Sequence, residues 1–425
     1  MRTDFPVSQD PRMNRSEEIL RACVHCGMCN AACPTYSLTG NELDGPRGRI
    51  YLIKNLLEGD AESSPIVRKH LDNCLTCLAC VNACPSGVDY AHLLDHGREV
   101  VETMPPRSLA MRLFRYALAI VLTRPKLFAF SLAIARWIAP LKSWMPSLLH
   151  PLFDAVPARV RKPVATPVAP QHPCTRVALL DGCVQQIVAP HINAAAASLL
   201  ARHGVESVAC PEVSCCGALQ WHLGFHREAR ARARDNIRAW LREVDDKGLD
   251  SLVMTASGCG AVIRDYPAWF HDDPETKNAA ERIASMTKDV AEYIAGLETR
   301  IGDSKALHIA SLPVAYHGAC SLANGGRFQD KGRETLERAG FSLCPPPVSG
   351  MCCGSAGAYH LLRPGFSNRL GERKIADLEA LKPEIIATGN IGCMMQIRSR
   401  TSIPVVHTVE LLEWAAGGDA PESLA

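Results

Sequence analysis

The fold is decided by residues 21–34, RACVHCGMCNAACP, and their near-copy at residues 72–85, DNCLTCLACVNACP. Each stretch sets three cysteines at two-residue gaps, a fourth after a three-residue gap, and then a proline. The first reads Cys23, Cys26, Cys29, Cys33 and Pro34, and the second Cys74, Cys77, Cys80, Cys84 and Pro85. Two-residue gaps let one tight loop wrap three thiolates around a single face of a metal centre. The longer gap puts the fourth cysteine where a helix opens and points away, and proline starts that helix with a fixed φ. Between the copies, GRIYLIKNLLEG (residues 48–59) reads as helix. Residues 1–100 are therefore expected to form one helical module organised by eight thiols.

This spacing matches the CxxCxxCxxxCP run of bacterial two-cluster ferredoxins, in which the fourth cysteine ligates the other cluster. The expected ligands are Cys23, Cys26, Cys29 and Cys84 for a first 4Fe-4S cluster, and Cys74, Cys77, Cys80 and Cys33 for a second. Structural zinc usually takes two separated CxxC pairs and leaves two three-cysteine runs unexplained. Disulfides need an oxidising compartment. The N-terminus MRTDFPVSQDPRMNRSEE has no apolar core of the secretory type, so the thiols are expected to stay reduced. Arg47 and Arg49 in GPRGR lie between the motifs. They read either as charges that raise a cluster's potential or as a solvated loop.

The remaining sequence is larger than this module. A chain of 425 residues suggests about three domains. With 47% hydrophobic and 21% charged residues it has the composition of a chain that buries proper cores. Lys and Arg number 46 against 44 Asp and Glu, so there is no basic field to draw nucleic acid. Nineteen cysteines are the outlier.

Eight of the other cysteines form a repeat. DGCV at Cys183 recurs as HGAC at Cys320, SCCGA at Cys215 and Cys216 as MCCGS at Cys352 and Cys353, and SGCG at Cys259 as IGCM at Cys393. The offsets are 137 residues, falling to 134 for the last pair. Apolar runs ending at cysteine (RVALLDGC, SLVMTASGC, VAYHGAC, EIIATGNIGC) alternate with helical patterns, which means parallel sheets covered by helices. The cysteines then lie beyond the carboxyl ends of strands, where open α/β sheets place their sites. Two α/β half-domains, 176–305 and 306–425, are expected. Each quartet is a candidate for an additional cluster, the alternative being buried core thiols. Cys174, Cys210 and Cys344 read as unliganded. No GxGxxG follows a strand, so no dinucleotide site is expected. His317 and His360 are acid/base candidates, with ordinary hydrogen-bonded histidines as the plainer reading.

Residues 101–155 form a helical, apolar and basic segment, with seven Lys or Arg from Arg107 to Lys142 and no acid between Glu102 and Asp154. Its charges break every run long enough to span a bilayer. The expectation is a surface that docks a flavoprotein partner, including Leu127, Phe128 and Phe130, the alternatives being the inner membrane surface and a helical bridge packed on the protein's own domains. Residues 156–175, with Pro157, Pro163, Pro167, Pro170 and Pro173, read as a linker.

The stretches ILRACVHCGMCNAACPTY, NELDGPRGRIYLIKNLLEG, HLDNCLTCLACVNACPSGV, TASGCGA, CCGSAG and NIGC together resemble the iron-sulfur subunit of glycolate oxidase (glycolate dehydrogenase) across nearly the whole chain. The resemblance implies a multidomain α+β protein, with a two-cluster ferredoxin-like module followed by two cysteine-rich (CCG) half-domains. It implies an electron-transfer role, with separate FAD subunits oxidising glycolate to glyoxylate and electrons passing on towards the respiratory chain. It further implies no flavin and no catalytic residue in this chain, and a cytoplasmic complex peripherally associated with the inner membrane and the quinone pool. Subunits of lactate or glycerol-3-phosphate dehydrogenases are the alternative. The repeats are also similar to the cysteine-rich domains of heterodisulfide reductase, where each half ends in CxxC. Here Val262 and Gln396 stand at the fifth position, which speaks against disulfide-reductase chemistry.

Overall fold

The computed structural model describes residues 3, 10–59, 64–104, 107–140, 175–297, 312–325, 330–346 and 351–424. Cys174 and the expected linker lie outside these residues, as does the segment beyond Pro140.

Four longer helices, Pro11–Ala22, Pro46–Leu57, Ser64–Asp72 and Tyr90–Thr103, frame the N-terminal module. Their apolar faces meet in one core, with Leu20, Ile53, Val67, Leu71, Leu93 and Leu94 fully or almost fully buried. Helix Tyr90–Thr103 crosses Pro46–Leu57 at Gly97, where an added Cβ would sit 2.8 Å from Ile53 Cγ1. GPRGR is not a loop: Gly45 caps the helix, Pro46 takes its first position, and Arg49 lies in its first turn.

Two helices follow, Leu109–Val121 and Pro125–Ile138, bent by 116° at the Arg124–Pro125 junction. Among the described residues no single helix is long and apolar enough to cross a membrane. One side of the pair is inserted in the protein through Leu118, Ala119, Phe128 and Leu132, while Leu109, Leu113, Tyr116, Phe130 and Trp137 are exposed. Phe128 thus belongs to the core and not to the expected docking face.

The rest is two four-stranded, all-parallel sheets. Strands β1 (Thr175–Leu179), β2 (Val205–Val208), β3 (Ser251–Met254) and β4 (Thr287–Asp289) lie in the order β2-β1-β3-β4. Strands β5 (Pro313–His317), β6 (Ser342–Leu343), β7 (Ile385–Thr388) and β8 (Val405–His407) repeat it as β6-β5-β7-β8. The register repeats as well: Val177 pairs with Ser251 in the first sheet and Val314 with Ile385 in the second. Strand order reverses between β1 and β3, and between β5 and β7. This makes the carboxyl ends of those strands the natural crevice of each half. The halves share one apolar core, which runs from Val177 and Leu199 to Val314, Ile386 and Leu412. They also meet through Ser257–Ser321 (2.7 Å) and a bond from His407 Nε2 to the Thr255 carbonyl (2.9 Å).

The module is docked on both halves. Trp221 Nε1 donates to Asp95 (2.8 Å) and stacks on Trp269 at 4.0 Å. Tyr359 Oη donates to the Asn73 carbonyl, and Asn324 Nδ2 to that of Cys77. Asp72 gathers Arg107, Arg115 and Arg363, tying the module to the apolar helices and to the second half.

Candidate iron-sulfur centres

Each CxxCxxC loop turns through two residues of left-handed backbone, His25 and Gly27 in the first and Thr76 and Leu78 in the second. Left-handed backbone is cheap at Gly27 and strained at Leu78. The loops wrap their thiols inward. Cys23, Cys26, Cys29 and Cys84 line one small pocket with Ile50 and Val88. Burial, with Cys23, Cys84 and Cys26 close by, pushes the Cys29 thiol up to about 11. Cys80 is likewise pushed up by burial and by Cys74 and Cys33. Cys84 thus sits with the first run's Cys23, Cys26 and Cys29, and Cys33 lies near Cys74 and Cys80 of the second.

Arg49 is 1% exposed beside the second of these sets. Its Nε donates to the His70 carbonyl (2.8 Å), Nη2 donates to Thr35 Oγ1 (2.9 Å), and Nη1 lies 3.9 Å from Cys33 Sγ. Asp44, 3.7 Å away, balances its charge. At Cys74 burial favours the thiol, but Arg49 and Arg98 outweigh it and lower the pKa. The solvated-loop reading is therefore excluded for Arg49. Arg47 stays nearer the surface, paired with Glu42.

The cysteine-rich halves gather their quartets at the strand ends. Cys183 follows β1, Cys215 and Cys216 follow β2, and Cys259 follows β3, with Cys215 Sγ 3.4 Å from Cys183 Sγ. Gly217, at φ +80°, turns the chain after the adjacent pair, and Asn236 holds the loop by accepting from Ser214 N and donating to the Cys215 carbonyl. In the second half Cys320 Sγ lies 3.9 Å from Cys352 Sγ, and Asn390 Nδ2 approaches Cys393 Sγ at 3.8 Å. Gly354 is required by its φ of +86° and by a Cβ that would lie 2.7 Å from the Ser367 carbonyl oxygen. Neighbouring thiols and burial raise Cys183, Cys216 and Cys320 well above the ordinary range. Packed and dry, such thiols stay protonated until a cation compensates them, which fits a metal-binding donor set. Cys210 and Cys344 lie apart from these groups, beside Glu243 and Arg333 respectively.

The sequence did not reveal how these centres connect. Cys77 lies close enough to the second half that Cys320 helps to raise its pKa and it in turn helps to raise that of Cys352. Cys74, Cys77 and both quartets line a single cavity of about 1800 Å³, walled on one side by Phe114, Leu118, Phe128 and Leu132. His360 is an ordinary hydrogen-bonded residue, its Nδ1 donating to the Gly357 carbonyl (2.7 Å). His317 is not: its Nε2 has no partner among the described residues, and burial holds its pKa down at about 3.

Fold and thiol sites define an iron-sulfur protein in which a dicluster module is joined to a duplicated cysteine-rich α/β unit. Residues 19–88 match the model of the 4Fe-4S dicluster domain, and residues 177–264 and 314–398 that of the cysteine-rich domain. The chain is 39% identical over 414 residues to the glycolate oxidase iron-sulfur subunit of Escherichia coli (strain K12), covering 96% of this chain and 97% of that one. It is 30% identical to the "Probable glycolate oxidase iron-sulfur subunit" of Bacillus subtilis (strain 168), with 96% of each covered. The chain belongs to the glycolate oxidase iron-sulfur subunit family. A crystal structure of a hypothetical protein from Helicobacter pylori shares the fold, with TM-score 0.59 and 10% identity over 98% of this chain and 74% of that one.

Proposed function

We propose that this chain is the electron-relay subunit of a complex whose FAD-containing partners oxidise glycolate to glyoxylate. In this reading Cys23, Cys26, Cys29 and Cys84 hold one 4Fe-4S cluster, and Cys74, Cys77, Cys80 and Cys33 hold the other. The quartets Cys183, Cys215, Cys216, Cys259 and Cys320, Cys352, Cys353, Cys393 hold further iron. Clusters bound there supply one-electron transfer, and the protein's own residues set where the chain of centres begins and ends.

The observation that carries the reading is the continuity of the thiol sites. Cys26 is exposed at one end. The two ferredoxin-type sets adjoin, since Cys29 is among the neighbours that raise Cys80. Cys77 then adjoins Cys320 and Cys352 at the cavity. Exposed Val24, Met28 and Tyr51 surround the Cys26 end and offer an apolar docking face for a flavoprotein. The helix pair Leu109–Val121 and Pro125–Ile138 supplies a second contact surface, for a partner subunit and through it for the cytoplasmic face of the inner membrane, from which electrons pass to the respiratory chain.

The test is anaerobic co-purification followed by addition of glycolate. Cluster absorbance should bleach in the complex and not in the isolated chain. An isolated chain that carries stoichiometric flavin and is reduced by glycolate refutes the relay assignment. Bleaching by lactate or glycerol 3-phosphate alone moves the substrate to a related dehydrogenase.

A further inference from the structure

The two cysteine-rich halves differ at a buried position beside the cysteines. His317 closes β5 and is 4% exposed. Its side chain offers a ring nitrogen that lies, with the Sγ atoms of Cys353 and Cys393, in a group whose members are all within 4.8 Å of one another. Nε2 of the ring has no hydrogen-bond partner among the described residues. Buried polar atoms are normally satisfied, so an orphaned ring nitrogen on a histidine set beside two thiols needs an explanation. Metal coordination is the chemistry that a neutral imidazole and thiolates share.

The first half serves as an internal control. The sheet registers align Val314 with Val177 and Ile385 with Ser251, so the pair His317–Thr388 falls where the first half has Leu180–Met254. Leu180 offers no ligand. Lys374, 2% exposed, lies near Cys352, Cys353 and Cys393, its charge opposed by burial and favoured by Asp377 and the thiols, while Ile237 stands at the same spacing from the first half's cysteine pair.

We propose that His317 is a nitrogen ligand in the second half, completing a five-donor metal centre with Cys320, Cys352, Cys353 and Cys393. The inference rests on the reading that the second quartet holds iron. A neutral imidazole adds no negative charge to the four thiolates, whereas a fifth thiolate in its place would lower the centre's potential. The second half is thus set apart from the first by its nitrogen donor and by Lys374. It is also the half that touches Cys77. The duplicated sites are thus unequal, and the one with the nitrogen donor is the one beside the relay.

The experiment uses the full chain, purified anaerobically with its clusters and labelled with ¹⁵N-histidine, and reads nitrogen hyperfine coupling in reduced samples by pulsed EPR. Iron per chain is counted in parallel. A directly coupled histidine nitrogen is expected in the native protein, and it should vanish in His317→Leu, which installs the first half's residue. His317→Cys keeps a fifth donor in place. It should retain native iron content, lose the nitrogen coupling, and be reduced at a lower potential. Iron that falls in Cys352→Ser but shows no histidine coupling in the native protein overturns the ligand assignment alone, as does coupling that survives in His317→Leu. Iron content unchanged in Cys352→Ser overturns both this inference and the loading of the quartet.

Discussion

Arg49→Met should lower the reduction potential of the cluster assigned to Cys74, Cys77, Cys80 and Cys33 without touching its ligands. The guanidinium is fully buried, with Nη1 3.9 Å from Cys33 Sγ. The electron added on reduction spreads over a cluster, so its mean distance from the cation is roughly 7 Å. At an effective dielectric near 20 the attraction is then about 2.4 kcal/mol. Taking about 59 mV per tenfold change for one electron, that is a shift of roughly 100 mV downward. Arg49→Met also leaves Asp44 without its cation, although His70 Nδ1 (2.7 Å) and Asn73 Nδ2 (3.0 Å) still bond to it. Breaking a buried pair in this way costs about 3–5 kcal/mol. Arg49→Lys separates the two effects, because it keeps the charge and loses the fork of bonds to His70 and Thr35. Potentiometric EPR titration should find Arg49→Lys near the native potential and Arg49→Met well below it. A potential for a folded, loaded Arg49→Met that stays within about 20 mV of native would refute the electrostatic argument, since the expected shift is several times larger.

Other expectations follow from the same geometry. Cys33→Ser should damage the cluster held by Cys74, Cys77 and Cys80, and Cys84→Ser the one held by Cys23, Cys26 and Cys29. Cluster-resolved EPR checks both, and damage confined to the nearer motif removes the crossed assignment. His92 bridges Asp89 (2.6 Å) and Asp265 (3.2 Å) between the module and the first half. Burial opposes its charge, but the hydrogen bonds to Asp265 and Asp89 prevail and raise its pKa to about 10. A raised folded-state pKa contributes stability that is complete below the unfolded value of about 6.5 and is lost as pH rises towards 10. Thermal stability should therefore fall across that window, and His92→Gln should flatten the fall in a melting series. Replacing the exposed Leu113, Tyr116, Phe130 and Trp137 with Ser should abolish pull-down of the flavoprotein partner while iron content stays native. Undiminished pull-down with native iron content removes the helix pair as a docking surface.

Much of this protein was written in local spacing. Two-residue gaps between cysteines constrain a loop by covalent reach alone, so both ferredoxin-type motifs were legible without a structure. The 137-residue repeat placed all eight remaining candidate cysteines at strand ends, because apolar runs and turn glycines mark such ends directly. Tertiary packing decided the rest. GPRGR is charged and glycine-rich, which reads as solvent-exposed, yet the helix it starts turns Arg49 inward, where Asp44 and the cluster thiols make a buried cation tolerable. Phe128 and Phe130 are two residues apart on one helix and so about 200° around its axis, and only the packing of the helix decides that the first enters the core and the second faces water. The approach of Cys77 to Cys320 spans over 240 residues of chain and has no periodicity to announce it. His317 and Leu180 occupy matched positions in matched sheets, but a lone histidine acquires meaning only from what its nitrogen faces. That depends on how β5, β6 and β7 bring distant loops together, which is a property of the packed sheet and not of any one segment.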